Sequence, residues 1–435
     1  MIEPRDFLTR VFRAGVAAAD PRRAARQAVS ELDDLSLPVW VIAVGKGAHR
    51  MASGAVEALR ERNVTVAGGL VVANEEDPQA THGLEARAGD HPTPGPGSFA
   101  AALRLAEVAA QANSDSDAVV LVSGGATSLI AAPVHGITEK VLAETFGALL
   151  GSGADIGLMN AVRKRLLRFG AGRLAISLGT RRIQCLIASD VIGNDPASIA
   201  SGPCVADAST AVETRRRLRE SGSWQSLPQP AREFLEAMAD GRVPDVPPAD
   251  HPRFATVSVR VILDRSVAER GAAASAEQLG AGVEIVPTAL TGDAATAGRE
   301  FAEGLLRRAG AAAHCIIWSG ETTVHLDGSH APGGRCQEFA LSAGLCLEEG
   351  RGAAAELTIL AAGTDGRDGP TDAAGAIVDA TTCERIRGNG MDPRAALQQH
   401  HSYVALDSAE ALLKTGSTGT NVNDLVIALR SSRDP

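Results

Sequence analysis

Val39-Trp-Val-Ile-Ala-Val-Gly-Lys-Gly47 is a β-branched, apolar run that stops at two glycines flanking a lysine, and Ala48 to Arg60 then reads as a helix. A strand that feeds a helix through a glycine turn is the unit from which parallel sheets are built. The signal repeats outward from this point. Ala67 to Ala73 and Ala118 to Val122 are further apolar strands with a helix, Phe99 to Ala112, between them, and Arg182 to Ala188 is another strand. Alternation of this kind predicts an α/β doubly wound parallel sheet. Prolines 228, 230, 244, 247, 248 and 252 then crowd around one helical segment, Ala231 to Asp240. The composition places a domain over 1–225, a Pro-rich linker over 226–252 and a second domain over 253–435. The second half restarts the pattern with Val257 to Leu263, Gly282 to Pro287, His314 to Trp318, Leu357 to Ala362 and Asn423 to Leu429.

The chain has 435 residues, 45% of them apolar, which is enough for two domains with full cores and no disulfide or metal staple. A formal net charge of −10 argues against nucleic acid or an anionic membrane as a partner. The six cysteines show no C-x-x-C pairing and sit partly in apolar runs, as expected of reduced core thiols. The first residues, Met1-Ile-Glu-Pro-Arg-Asp, carry two acids, and no window approaches eighteen uninterrupted apolar residues, so the expectation is a cytoplasmic protein.

The chemistry is expected at strand ends, where loops open onto helix N-termini that favour anions. Gly45-Lys-Gly47 is either a phosphate approach with Lys46 as a point charge or a tight turn with a solvated lysine, and Ser123-Gly-Gly-Ala-Thr-Ser128 has the composition of a phosphate-cradling nest. Asn160-Ala-Val-Arg-Lys-Arg-Leu places Arg163 and Lys164 in a cationic segment, and Ala188 to Pro203 adds an acidic, Gly- and Pro-punctuated loop. An anion site beside an acidic loop is what phosphoryl transfer requires, more than hydride transfer or hydrolysis. Arg335 opens a helix after Gly333-Gly334 as a candidate bidentate clamp. Gly363-Thr-Asp-Gly-Arg-Asp-Gly-Pro-Thr-Asp372 is either a Mg²⁺-nucleotide contact or a stack of Asx turns. Two nucleotide motifs are excluded. A P-loop would need glycine at Trp40 and a hydroxyl at Gly47, and a dinucleotide fingerprint would need glycine at Arg50. No H-E-x-x-H or G-x-S-x-G is present, and His91 and His135, in Pro-containing loops, suit substrate hydrogen bonds better than zinc.

Taken in order, Gly45-Lys-Gly, His91-Pro-Thr-Pro, Ser123-Gly-Gly, Asn160-Ala-Val-Arg-Lys, Ser189-Asp-Val, Asp195-Pro, Ser201-Gly-Pro, Gly320-Glu-Thr-Thr, Gly334-Arg, Gln337-Glu-Phe-Ala-Leu, Gly363-Thr-Asp-Gly, Asp368-Gly-Pro-Thr-Asp and Thr418-Gly-Thr-Asn-Val-Asn-Asp-Leu make the chain resemble the glycerate 2-kinase family along nearly its whole length. The resemblance implies a glycerate-kinase N-terminal, Rossmann-like domain joined to a smaller α/β domain of MOFRL type, with the active site in the interdomain cleft. It implies transfer from ATP, with Mg²⁺, to the 2-hydroxyl of D-glycerate, in a monomer or homodimer. Matched by position, Lys46, Asp190 and Arg335 are the expected catalytic residues. His91, Asn160, Arg163, Lys164 and Glu321 would face the substrate; Gly45, Gly47, Ser123, Gly124, Gly125, Gly363, Thr364 and Asp365 would serve the nucleotide, and Asp190 and Asp195 the metal. The chain departs from the family pattern at Ala126, Arg165, Gly170, Asn194 and Cys336, which raises a different hydroxylated acceptor as an alternative. A hydroxypyruvate reductase and a non-catalytic metabolite-binding protein are the remaining readings.

Overall fold

The computed structural model describes residues 2–33, 35–77, 81–152, 154–308, 314–325, 332–354 and 356–431. The chain divides into two compact units, Pro21–Leu263 and Met1–Asp20 together with Asp264–Pro435.

The Pro21–Leu263 unit is built on six strands: β1 (Val39–Val44), β2 (Val66–Ala73), β3 (Glu85–Ala88), β4 (Asp117–Val122), β5 (Ile183–Ala188) and β6 (Val257–Leu263). Their order is β3-β2-β1-β4-β5-β6 and every pair is parallel. β4 is buried along its whole length, as a strand covered on both faces must be, which is why it reads as an apolar run from Ala118 to Val122. One face packs Ile42, Val44, Leu70, Val72, Val120 and Val122 against Ala101, Leu105 and Val108 of the helix Pro96–Gln111. The helix Ala48–Glu61 packs on β1 and β2 and buries Met51, Ala52, Ala55 and Leu59. A separate cluster joins the helices Glu139–Gly151, Ile156–Leu166, Ala211–Glu220 and Gln229–Ala239 through Phe146, Val162, Leu218 and Leu235.

This arrangement moves the expected domain boundaries. Leu227, Ala231 and Leu235 are core residues, so 226–252 is no linker; proline stands at the start of the helix Gln229–Ala239 and of the turn Pro252–Thr256, where its missing N–H costs nothing. β6 pairs with β5 from Ile183↔Val257 onward and therefore belongs to the first sheet. The helix Pro4–Ala18 instead packs on the helix Arg265–Gln278 and on the last strand of the other unit.

That second unit holds β7 (Gly282–Ile285), β8 (His314–Gly320), β9 (Leu357–Gly363), β10 (Gly375–Asp379), β11 (Leu412–Leu413) and β12 (Asp424–Arg430), in the order β11-β10-β9-β12-β8-β7. Only β7 and β8 run parallel; the other four pairings are antiparallel, so the second sheet is mixed and does not repeat the pattern of the first. The helix Arg335–Glu349 is buried over most of its length, with Phe339, Leu341, Leu345 and Leu347 in the core. At about 1.5–3 kcal/mol for each such side chain, this helix is a principal anchor of the unit.

Candidate active site

In the order β3-β2-β1-β4-β5-β6 the sequence of strands reverses between β1 and β4, and the crevice beyond their carboxyl ends is where an open α/β sheet receives a ligand. Two loops meet there. Lys46 N–H donates to Gly124 O at 2.9 Å, Gly47 N–H donates to Ser123 Oγ at 2.9 Å, and Ser123 N–H donates to Val44 O at 2.9 Å. Gly45 has φ +122°, and a Cβ there would lie 2.2 Å from Ser123 Oγ. Gly124 is pressed against the carboxylate of Asp190, with a Cβ placed only 1.9 Å from Asp190 Oδ2. Gly125 has φ +83° and faces the His91 ring and the Lys46 stem. Four strand-end loops, after β1, β3, β4 and β5, thus bring Lys46, His91, Ser123 and Asp190 around one pair of glycines.

The polar groups left over at this point define what it can bind. Lys46 is exposed and has no ion-pair partner among the described residues, and the N–H groups of Gly124 and Gly125 donate to no acceptor among them. Desolvation by the surrounding loops and the charge of Lys46 push the His91 imidazole down to about 4. Its outer edge remains in solvent, and it is neutral at physiological pH, able to accept or donate one hydrogen bond. Ser128 Oγ, donating to Pro92 O at 2.7 Å, fixes the loop that carries it. His135 is exposed, away from these bonds.

The helix Ile156–Leu166, capped by Asp155, presents its cations in three different ways. Asn160 Nδ2 reaches Ser198 O at 3.5 Å, in a turn whose Ser201 Oγ lies 3.1 Å from Thr127 Oγ1. Arg163 stacks over Phe146 at 4.7 Å, its Nε buried without a hydrogen-bond partner, and desolvation lowers its pKa. Lys164 is buried in an ion pair with Asp207 at 3.3 Å, which corrects its expected role as a substrate contact. Arg165 is fully buried between Asp245, Ser209 and Ala161 O. Asp195 caps the next turn, accepting from Ala197 N–H and Ser198 Oγ. Among the described residues no group of three or more His, Cys, Asp or Glu is arranged to hold a metal ion.

In the other unit, β12 runs antiparallel between β8 and β9, so its first residue, Asp424, stands beside the last residues of both, Gly320 and Gly363. Arg335, at the first turn of its helix, grips Asp424 with two bonds, Nε to Oδ2 at 2.6 Å and Nη2 to Oδ1 at 2.9 Å, and reaches Glu321 Oε1 with Nη1 at 2.7 Å. Burial opposes its charge, but Asp424 outweighs that and raises the guanidinium pKa. Of its five N–H donors, two have no acceptor among the described residues. Gly363 closes β9, and the buried Thr364 donates its hydroxyl to Asn423 O and accepts from Val422 N–H. Thr364 therefore ties two strand ends together, which corrects its expected nucleotide contact. Asp365 accepts from Arg367 N–H at 3.0 Å in an Asx turn. Asp424 went unassigned in the sequence although a signal was there: a carboxylate opening the apolar run Leu425 to Leu429 needs a cation beside it.

A parallel sheet whose reversal point carries a lysine without an ion-pair partner among the described residues, accompanied by a second α/β unit with a carboxylate-held arginine, defines an α/β protein of two units. The family described as a domain of unknown function (DUF4147) matches residues 7–236 and the MOFRL family matches residues 314–424. A glycerate 2-kinase of Pyrococcus horikoshii is 35% identical over 99% of this chain and 98% of its own. A D-glycerate 2-kinase of Thermotoga maritima is 34% identical over 96% of each. The crystal structure of a glycerate kinase from Thermotoga maritima superposes with a TM-score of 0.83 at 32% identity, covering 98% of this chain and 99% of that one. The chain belongs to the glycerate 2-kinase family.

Proposed function

We propose that this protein transfers the γ-phosphoryl group of ATP to the 2-hydroxyl of D-glycerate, giving 2-phosphoglycerate and ADP. The observation that carries the reading is the unpaired ammonium of Lys46 set beside the free amides of Gly124 and Gly125, with the Asp190 carboxylate packed against the same glycine. The ammonium and the amides suit the charge that spreads over the equatorial oxygens of the transferring group. Asp190 is assigned to take the hydroxyl proton as the new O–P bond forms and the bond from Pγ to the leaving ADP oxygen breaks. Asn160 and Arg163 are assigned to the substrate carboxylate, and His91, neutral, to a hydroxyl. Arg335 is assigned to a phosphate through its two remaining N–H donors.

A Mg²⁺ contact is the second role assigned to Asp190, because Mg²⁺ is usually held by one or two carboxylates together with substrate phosphates. When bound, the ion would neutralise charge on the phosphates. Asp195 already caps a turn and is the weaker candidate.

Four of the five positions at which the chain departs from its family favour an unchanged acceptor; the fifth, Asn194, lies at φ 54° in the loop that carries Asp190. Arg165 and Cys336 are buried, Ala126 is buried, and Gly170 packs on the Lys164 backbone, so these are packing positions. The test is incubation with ATP, Mg²⁺ and a panel of hydroxy acids led by D-glycerate, reading ADP release and identifying the product by phosphorus NMR. A 2-phosphoglycerate signal is expected. Turnover confined to another acceptor, or NAD(P)H oxidation with hydroxypyruvate in its place, would overturn the assignment.

A further inference from the structure

The first turn of the helix Arg335–Glu349 is held by a side chain that has no part in the site as assigned so far. Asp368 is 3% exposed, and its Oδ1 and Oδ2 accept from Cys336 N–H at 3.2 Å and Gln337 N–H at 2.9 Å. Its own backbone is fixed, since its N–H donates to Ala373 O and its carbonyl accepts from Thr371 Oγ1 at 2.7 Å and Gln337 Nε2 at 3.4 Å. A Cβ on Gly334 would sit 2.2 Å from Asp368 Cγ, so the helix start and the carboxylate interlock with nothing between them. A helix N-terminus attracts anions, and here the chain's own carboxylate occupies the place a phosphate would take. Arg335 is therefore left to meet an anion with its guanidinium alone.

We infer that Asp368 is a positioning residue for Arg335: it fixes the turn from which the guanidinium projects and so sets where the two free N–H donors point. This rests on the assignment of Arg335 to phosphate. The geometry makes the link short, because Arg335 immediately precedes the two residues whose amides Asp368 holds. The charged and titratable groups around it are Asp424 from β12 and Arg335 and Cys336 from the helix, with Glu321 on the far side of the guanidinium. Burial first, then the nearby charge of Asp424, raises Asp368 to about 7, against the opposing pull of the two amides and Arg335. Its charge, and with it the strength of its hold on the helix, changes across neutral pH.

The experiment compares wild type, Asp368→Asn and Arg335→Lys in ATP- and D-glycerate-dependent turnover from pH 5.5 to 9, with thermal melting of each. Asp368→Asn should lower kcat about 10- to 100-fold, as a misplacement of about 1 Å does, while KM for D-glycerate stays within about twofold. The rise of kcat through pH 7 should be present in the wild type and lost in Asp368→Asn. If Asp368→Asn fails to fold, Gly334→Ala, which pushes the same two elements apart, carries the same expectation. An Arg335→Lys variant that loses kcat while Asp368→Asn keeps both kcat and the pH profile overturns the positioning role alone. If Arg335→Lys also keeps kcat, the assignment of Arg335 fails and the inference falls with it.

Discussion

Replacing Lys164 separates a structural cation from a substrate contact. Its ammonium and Asp207 are 8% and 7% exposed and 3.3 Å apart, so Lys164→Met leaves a buried carboxylate without its counter-charge. Breaking such a pair from one side costs about 3–5 kcal/mol. Asp207 keeps bonds from Ser209 N–H at 3.2 Å and Ser209 Oγ at 2.8 Å, which places the expected loss near the lower end, about 3 kcal/mol. For a unit of this size each kcal/mol moves Tm by about 2–4 °C, so the Pro21–Leu263 transition should fall by roughly 6–12 °C. The pH dependence is a second check. Burial alone would raise Asp207, but the charge of Lys164 and the bonds from Ser209 hold it below the ordinary carboxylate range. A depressed carboxyl contributes stability above its unfolded pKa and loses it as pH falls through the folded value. In the variant burial dominates and the sign reverses, so the gap to wild type should narrow as pH drops from 7 toward 4. Adding Asp207→Asn should recover most of the loss. Calorimetric melts and D-glycerate kinetics decide the matter: an unchanged Tm with a KM raised tenfold or more would refute the structural reading and return Lys164 to the substrate.

Gly124→Ala should lower kcat about 100-fold with little change in Tm, because its methyl carbon would stand 1.9 Å from Asp190 Oδ2 and must displace it; near-normal turnover would show that Asp190 is not needed there. Ala200 holds φ 53°, a left-handed conformation that costs a non-glycine residue about 1–2 kcal/mol. Ala200→Gly should therefore raise Tm by about 1–4 °C, after about 0.5–1 kcal/mol is lost to glycine's extra chain entropy, and a lower Tm would refute the strain.

The first sheet was legible because parallel strands covered on both faces leave long apolar runs, as in β1, in β4 from Ala118 and in β5 around Gln184. The same property hid the second sheet's direction: β9 and β12 are buried almost throughout, and burial does not distinguish a parallel neighbour from an antiparallel one. β11, two residues long, leaves no period to read. The helix Pro4–Ala18 has an apolar face, but nothing local says which unit will cover it. Of the site, Lys46, His91, Ser123 and Asp190 were readable from their place at strand ends. The different surroundings of Arg163, Lys164 and Arg165 were not, because each helical step turns about 100° and three adjacent cations cannot share one face. Here one lies over Phe146 and two point into the core.

The strand order β3-β2-β1-β4-β5-β6 is the one in which dinucleotides bind, and it would by itself leave a reductase in contention. The loop after β1 decides against that. A dinucleotide fold offers the amides of this first turn to a pyrophosphate, whereas here Lys46 N–H goes to Gly124 O, Gly47 N–H to Ser123 Oγ and Ala48 N–H to Gly45 O. The amides that would receive the cofactor are already satisfied by the chain. Arg50, where the third glycine would allow close packing, agrees with this from the sequence side. On the proposed reading, the phosphoryl group is met instead by the Lys46 side chain and by the amides of Gly124 and Gly125 after β4, which have no acceptor among the described residues. A site built from one exposed ammonium and two backbone amides is suited to a single phosphoryl group passing between donor and acceptor, and it is poorly suited to anchoring a pyrophosphate that must stay put through hydride transfer.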